Sequence, residues 1–209
     1  MPKSQATLKY RRYTSLPTLI NMLANGRITL VDPTWWEDRN DAYFLGRYRE
    51  KKKLKTVLAL CFTTGQESYH HWKVFAGNPS GVCVRFFADK LKACFDGSAG
   101  IRMGHVSYKH TQELKDNRPS PGELPFLKRS QFKDEKEFRI IYEDNSKRLQ
   151  SRDFVLDLKS IYQVKLSPWS PPSSFESVRD VIRRFPGCSS MDVRKSALLD
   201  YQEWKNFAE

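Results

Sequence analysis

Residues 132–142 read Phe132-Lys133-Asp134-Glu135-Lys136-Glu137-Phe138-Arg139-Ile140-Ile141-Tyr142, a cluster of charges that passes into an apolar run. Successive side chains of a strand point to opposite faces, so the pattern predicts a core strand with Glu135 and Glu137 on one face, roughly 7 Å apart. Two carboxylates at that distance raise at least one pKa unless cations or solvent compensate. The stretch therefore indicates either a pair of acids available for chemistry or a charged turn in which neighbouring basic side chains pair the acids.

The composition is that of one globular domain. The chain has 209 residues, of which 39% are hydrophobic and 29% are charged, enough to bury a sizeable core. The net charge of +12 favours polyanionic partners, namely nucleic acid, nucleotide phosphates or an acidic protein. A diffuse excess of Lys and Arg on a soluble protein would give the same net charge, so composition alone leaves both interpretations open.

The cysteines and histidines give no pattern of a metal site. The four Cys, at positions 61, 83, 94 and 188, form no C-x-x-C pair and fit free thiols in a reducing cytosol. The four His lack zinc-finger spacing and there is no H-E-x-x-H, so we expect no metal. The N-terminus lacks an apolar signal core and no apolar run is long enough to span a bilayer. We therefore expect a cytoplasmic protein with no membrane partner.

Hydrophobic periodicity predicts many strands and a few short helices. Strands are predicted at residues 7–13, 27–31, 56–64, 82–87, 103–108, 138–142, 153–158 and 162–166. Helices are predicted after the cap residue Ser15, at 68–76 and 88–95, and after the cap residue Ser174. The absence of a regular βαβ rhythm favours an α+β fold with a mixed, mainly antiparallel sheet and short flanking helices. We expect a single domain over residues 1–209, with a core at 7–166 and a C-terminal helical or strand extension at 173–209.

Four segments between these elements have a composition that suggests a specific role. Residues 32–41 are predicted to form a turn-rich loop, in which Trp35 and Trp36 cover the core or line a pocket. Residues 47–55 hold six basic residues in nine and indicate a solvated face or linker, with a phosphate-binding patch as the alternative. We expect an exposed loop at 109–125 and a short helix at 125–130.

An ordered set of motifs extends through residues 8–142. The motifs are Lys9-Tyr10-Arg11, Asn25-Gly26-Arg27-Ile28, Trp36-x-Asp38-x-Asn40-Asp41, Cys61-Phe62-Thr63, His71-Trp72-x-x-Phe75-Ala76, Gly81-Val82-Cys83-Val84-x-Phe86, Tyr108 and Phe132-x-x-Glu135-x-Glu137-x-Arg139. Their order and spacing resemble a large bacterial domain family of unknown function. The chain departs from that pattern at Ala42-Tyr43, where the family has Pro and an acid, and has Phe75 and Phe132 where Tyr and Trp are usual.

The same series is similar to the arrangement of the ADP-ribosyltransferases. In that family an Arg or His on a first strand, a hydroxyl or Tyr on a middle strand and a Glu that opens a late strand surround NAD. The resemblance implies an ADP-ribosyltransferase-like fold with NAD as a substrate. Carried over by position, the catalytic residues are Glu137 and Glu135. The implied cofactor-binding residues are Tyr10, Arg11, Arg12, Cys61, Thr63, Thr64 and Trp72. The implied substrate-binding residues are Trp35, Trp36, Asp38, Asp41 and Arg139.

The resemblance implies transfer of ADP-ribose to a nucleic acid or protein acceptor, in a phage-defence or toxin system with an antitoxin or other defence partner. Three alternatives stay open. A basic, aromatic-rich module could bind RNA or DNA without catalysis. A nuclease would need a metal held by acids such as Asp38, Asp41, Glu135 and Glu137. The chain could also serve only as an interacting component of a multi-gene system.

Overall fold

A computed structural model of the chain describes residues 8–209, so residue 7, where the first predicted strand begins, lies outside the described residues. The strands are β1 (Lys9–Ser15), β2 (Arg27–Val31), β3 (Thr56–Thr63), β4 (Gly81–Phe87), β5 (Ile101–His105), β6 (Ser107–Lys109), β7 (Leu127–Arg129), β8 (Glu137–Asp144), β9 (Ser151–Val155), β10 (Ile161–Leu166) and β11 (Val193–Lys195). The helices are α1 (Leu16–Asn25), α2 (Arg39–Lys51), α3 (Tyr69–Ala76), α4 (Ala88–Ala93), α5 (Thr111–Asp116), α6 (Pro172–Arg184) and α7 (Gln202–Lys205). The predicted α+β class is confirmed.

The chain divides into two compact units. Unit 1 consists of the described residues up to Arg27, Gln66–Cys94 and Leu156–Glu209, and unit 2 consists of Ile28–Gly65 and Phe95–Val155. The expectation of a single domain over residues 1–209 stays a prediction. The two units are described separately below.

In unit 1 the strand order is β11-β10-β4-β1. Strand β4 pairs antiparallel with β1 and β10, and β11 pairs parallel with β10. Helix α3 packs on β1 and β4, and its Trp72 is wholly buried in a cluster with Tyr13, Ala76 and Cys83. Burial of the apolar side chains of this cluster therefore stabilises the packing of α3 on β1 and β4.

Helix α1 follows directly from the sequence signals at its ends. The Ser15 side chain accepts a hydrogen bond from the Thr18 N–H, and Pro17 occupies the first turn, where its missing N–H costs nothing. At the other end Gly26 adopts the left-handed conformation (φ +57°) and its N–H donates to the Met22 carbonyl. The predicted cap and stop are both confirmed.

In unit 2 the long apolar strand β3 pairs antiparallel with β8 over its whole length, from Thr56↔Asp144 to Thr63↔Glu137. Strand β5 pairs antiparallel with the other edge of β8, and β6 pairs parallel with the short β7. Strand β8 therefore lies between two partners, which is why Phe138, Ile140 and Ile141 are all buried. The predicted core strand after the charged cluster is confirmed, although it begins at Glu137 and leaves Glu135 outside.

Helix α2 was not predicted. It begins within the segment predicted as a loop and extends into the basic run predicted as a solvated face or linker. Its buried side is narrow, consisting of Asp41, Leu45 and Tyr48, and the last two pack with Val57 and Ile141 in a core cluster of unit 2. Trp36 packs against this cluster, as expected, but Trp35 is 81% exposed, so the expectation that it covers the core is wrong.

Several other expectations are wrong in detail. The predicted loop at 109–125 contains α5 and a 3-10 segment, and the predicted helix at 125–130 is instead strand β7. Both α5 and that 3-10 segment begin with a capping box, which fixes short helical turns that periodicity cannot reveal. Ser174 is not the N-cap of α6, since its hydroxyl donates to the Pro171 carbonyl at 2.9 Å. The expectation of a C-terminal helical or strand extension at 173–209 is met, since this part of the chain holds most of α6, then β11 and the short α7.

The four cysteines all lie within residues 8–209, and none of them forms a disulfide. Among the helices of residues 8–209, none combines the length and apolar character that a bilayer crossing requires.

Two glycines should respond oppositely to alanine. Gly46 lies inside α2, and a Cβ there would meet no atom within 4 Å, so Gly46→Ala should raise the free energy of unfolding by about 0.5–1 kcal/mol. Gly26→Ala should lower it by about 1 kcal/mol, because an L side chain is strained at φ +57°. Urea unfolding midpoints of the two variants measure this difference. Equal shifts of the same sign would contradict the assignment of Gly26 as a helix stop.

Candidate functional site

Arg139 is the centre of a buried ionic network in unit 2. Its side chain is wholly buried and makes five hydrogen bonds. Two go to Glu137, from Nε to Oε1 at 2.6 Å and from Nη2 to Oε2 at 3.0 Å. Two form a fork to Asp41, at 2.8 and 2.6 Å, and the fifth reaches the Pro125 carbonyl at 2.8 Å. The i, i+2 spacing on β8 places the guanidinium and the Glu137 carboxylate on one face, as predicted.

Lys128 on β7 adds a second cation to the network. Its Nζ lies 2.6 Å from Glu135, 3.6 Å from Asp41, 3.7 Å from Glu137 and 4.0 Å from Asp38. We call these four acids, with Lys128 and Arg139, the carboxylate cluster. Four carboxylates face two cations, so the cluster has a formal charge of −2 when all six groups are ionised.

Local backbone geometry sets the positions of the acids. Asp38 is the N-cap of α2, and its Oδ1 accepts hydrogen bonds from the N–H groups of Asn40 and Asp41. Within residues 8–209 the other oxygen, Oδ2, is buried and has no hydrogen-bond partner. Lys136 adopts a left-handed conformation (φ 45°) between a 3-10 segment and β8. Glu135 therefore lies outside the strand alternation of β8. It joins the cluster through its ion pair with Lys128 and not through a strand face shared with Glu137.

The environments of Glu135 and Glu137 push their pKa values apart. Burial raises the pKa of Glu135, and the neighbouring carboxylates of Glu137 and Asp41 add to the effect, although Lys128 opposes it. Burial would also raise the pKa of Glu137, but the Arg139 guanidinium and Lys128 outweigh burial, so this pKa lies below its usual range. Such a difference between two adjacent acids is typical of a base and a permanent anion that act together.

Two further side chains contact Glu137. The buried Cys61 thiol donates a hydrogen bond to its carboxylate, and burial raises the pKa of this thiol. The Tyr108 phenol oxygen accepts from its backbone N–H at 2.8 Å. The Trp36 ring covers the Arg139 guanidinium at 5.1 Å. Four motifs that are far apart in the sequence thus meet at the carboxylate cluster. They are the motifs of residues 36–41, 61–63, 108 and 132–139.

The remaining predicted site residues are not among the six groups that define the carboxylate cluster. Thr63 Oγ1 accepts from the Gly65 N–H at 2.9 Å in the turn after β3, and Thr64 Oγ1 donates to the carbonyl of Lys136, the residue before β8, at 3.0 Å. Tyr10, Arg11 and Arg12 lie on β1 of unit 1. Trp72, also in unit 1, is wholly buried and its indole N–H donates to Glu67 at 2.9 Å.

The sequence did not predict Lys128 or Glu67 as important. The sequence pattern predicts Lys128 within a short helix. In the structure Lys128 lies on β7, and the parallel pairing of β7 with β6 positions it at the cluster. Glu67 is the centre of a second network in unit 1, where it accepts hydrogen bonds from Trp72, Lys165 and Ser196. No local signal separates either residue from the other charged residues of the chain.

Lys128 is the cation that faces the acids of the cluster, since its ammonium lies within 4.0 Å of all four carboxylates. Among the residues that the structure describes, no group of three or more His, Cys, Asp or Glu side chains is found that could hold a metal ion.

Two cavities lie beside the cluster in unit 2. The first, of about 40 Å³, is lined by Asp38, Asp41, Lys128 and Arg129 among others. The second, of about 290 Å³, is lined by His105, Lys109, Arg118 and Phe126 among others. Of the acids in the cluster, Asp38 and Asp41 line the first of these cavities.

No protein-family model and no curated protein matches the chain. Among solved structures, the chain is similar to Thermus sp. 2.9 DarT in complex with carba-NAD+, with 13% identity, a TM-score of 0.48 and coverage of 92% of this chain and 97% of that chain. The complex of the same protein with ADP-ribosylated ssDNA gives 12% identity, a TM-score of 0.46 and coverage of 94% and 98%. The complex with NAD+ gives 10% identity, a TM-score of 0.46 and coverage of 93% of this chain and 98% of that chain. Identities and TM-scores at this level do not establish a shared fold, so no residue role is transferred from these structures.

Proposed function

We propose that this chain is an ADP-ribosyltransferase that takes ADP-ribose from NAD and transfers it to a nucleic acid. The observation that carries the proposal is the carboxylate cluster, in which an excess of buried negative charge surrounds two acids with oppositely shifted pKa values. A buried excess of acids costs folding free energy, and buried acids whose pKa values are perturbed by burial and by specific charged partners mark a candidate functional site.

The cluster suits a reaction that develops positive charge. When the bond between nicotinamide and ribose breaks, the nicotinamide nitrogen leaves with the electron pair and the ribose becomes oxocarbenium-like. Glu137 remains ionised because Arg139 holds its pKa low, so it can stabilise that charge. Asp38 lines the first cavity, and its Oδ2, which within residues 8–209 has an ion pair with Lys128 at 4.0 Å but no hydrogen bond, is a second acceptor for a ribose hydroxyl.

Glu135 is the candidate general base. Its raised pKa lies closer to neutral pH, and within residues 8–209 its carboxylate accepts a single hydrogen bond, which Lys128 Nζ donates to Oε2 at 2.6 Å. As the acceptor oxygen or nitrogen bonds to the ribose C1′, its proton passes to Glu135. The roles of Arg11, Arg12, Thr63, Thr64 and the tryptophans toward NAD belong to the same proposal and rest on the resemblance alone.

The acceptor and setting complete the proposal. The net charge of +12 favours a nucleic acid over a neutral or basic protein as acceptor. An enzyme that consumes NAD and modifies nucleic acid harms its own cell, so a phage-defence or toxin role with an antitoxin partner, in the cytoplasm, is the setting that we propose. The DarT complexes contain NAD+ and ADP-ribosylated ssDNA, which makes ssDNA the first acceptor to test.

The test compares Glu135→Gln with Asp134→Asn, a control acid that is adjacent in sequence and exposed. We expect wild type to release nicotinamide from NAD and to label ssDNA, Asp134→Asn to stay within about twofold, and Glu135→Gln to fall by about 100-fold. The wild-type rate should rise with pH as Glu135 loses its proton, through a range above the ordinary Glu pKa of about 4.3. This rise should be missing in Glu135→Gln.

Two outcomes would contradict the proposal. Salt-sensitive binding of ssDNA without nicotinamide release, with ssDNA, RNA and protein each tested as acceptor, would favour the non-catalytic binding module. A rate that is unchanged in Glu135→Gln would remove this residue as the base.

A further inference from the structure

The cavity of about 290 Å³ in unit 2 has walls of two kinds. Leu114, Phe126 and Leu127 form an apolar part, and His105, Lys109 and Arg118 contribute cationic or protonatable groups. Its volume is close to the lower limit of small-molecule sites, roughly 300 Å³. Apolar walls with cationic groups suit a ligand that has a flat apolar ring and an anionic group.

The charges on the wall leave a cation available to a ligand. Glu123 also lines the cavity, but its carboxylate accepts from the Ser120 N–H at 2.8 Å in a capping box. Lys109 is 3.1 Å from the exposed Glu113. Among residues 8–209 the Arg118 side chain has neither an ion pair nor a hydrogen bond, and guanidinium groups are well suited to phosphate.

The cavity adjoins the carboxylate cluster. Lys109, Leu114 and Leu127 line both this cavity and the small one that is bounded by Asp38, Asp41 and Lys128. The two cavities therefore adjoin through these shared side chains, and Leu127 directly precedes Lys128 on β7.

We infer that the larger cavity binds a nucleoside monophosphate unit, with the base against Leu114 and Phe126 and the phosphate toward Arg118. The inference rests on the proposed function for its source, which is either a nucleotide of the acceptor strand or the adenylate half of NAD. Both sources have the same chemistry, and only binding measurements with separate ligands distinguish them.

The experiment uses the full chain and measures binding rather than turnover. Arg118→Glu is compared with Arg148→Glu, an exposed arginine of unit 2 that is remote from the cavity lining and gives the same change in net charge. Leu114→Trp fills the cavity without a change in charge. The ligands are AMP and NAD, measured by calorimetry, and a labelled single-stranded DNA decamer, measured by fluorescence anisotropy.

We expect Arg118→Glu and Leu114→Trp each to weaken binding of at least one ligand by tenfold or more, with Arg148→Glu within about twofold of wild type. Loss confined to AMP and NAD assigns the cavity to the adenylate half of NAD, and loss confined to the decamer assigns it to the acceptor. If Arg118→Glu equals Arg148→Glu for all three ligands, or Leu114→Trp has no effect on any, the inference is wrong. Because binding is read without turnover, failure here is distinct from failure of the Glu135→Gln test.

Discussion

Replacing Arg139 by methionine should lower the free energy of unfolding by about 3–5 kcal/mol, because it leaves the buried carboxylates of Asp41 and Glu137 without their main partner. For a chain of this size the corresponding fall in the thermal midpoint is roughly 6–20 °C. Differential scanning calorimetry or urea unfolding measures the effect directly.

Two variants serve as controls for the loss of Arg139. Arg47→Met removes an exposed ion pair with Glu50 and should change the free energy of unfolding by less than about 0.5 kcal/mol. Arg139→Lys keeps the charge but cannot reproduce the planar fork to Asp41, so it should fall between wild type and Arg139→Met. A loss below about 1 kcal/mol in Arg139→Met would show that the buried pairs are not what holds this part of unit 2 together.

Replacing Glu137 by glutamine should reduce nicotinamide release from NAD by about 1,000-fold. The substitution keeps the shape of the side chain and removes the ionised group that we assign to the developing positive charge on the ribose. The rate of nicotinamide release under saturating NAD, measured by chromatography, tests this assignment.

A loss of activity in Glu137→Gln must be separated from a loss of folding, since Glu137 also accepts two hydrogen bonds from Arg139. Glu143→Gln is the matched control. Glu143 lies at the other end of β8, is partly buried and, like Glu137, accepts hydrogen bonds, in its case from the Tyr48 hydroxyl at 2.7 Å and from Arg102. We expect Glu143→Gln to destabilise the chain while its activity per folded molecule stays within about twofold. Equal losses of activity per folded molecule in the two variants would contradict the role that we assign to Glu137.

Much of the fold could be predicted where the sequence carries a local signal. The apolar run of β3 and the alternation of β4 and β10 gave the correct strands, and the caps Ser15 and Gly26 gave both ends of α1. Helix α2 could not be predicted in the same way, because its buried side includes the acid Asp41, which only the partner Arg139 makes tolerable inside the protein.

The composition of the site was partly predictable. The resemblance implies one site that holds Glu135, Glu137, Asp41 and Arg139. In the structure Arg139 donates a hydrogen bond to Asp41, which is 98 residues away in the sequence. The role of Lys128 could not be predicted, because it depends on which strand β7 pairs with. The left-handed Lys136 was also unpredictable, since that conformation usually favours Gly and here follows from the turn between a 3-10 segment and β8.

The position of β8 between β3 and β5 has a consequence for motion. The backbone of Arg139 is flanked by paired residues of both β3 and β5, so its amide exchanges with solvent only when the core of unit 2 unfolds. Lys128, Asp38 and Glu135 lie on a three-residue strand, a helix cap and a 3-10 segment, which open at lower free energy. The cluster therefore has one half fixed between paired strands, which includes Arg139, and one half on elements that open at lower free energy, so opening of β7 would be the least costly way to expose Glu137, which is only 5% exposed.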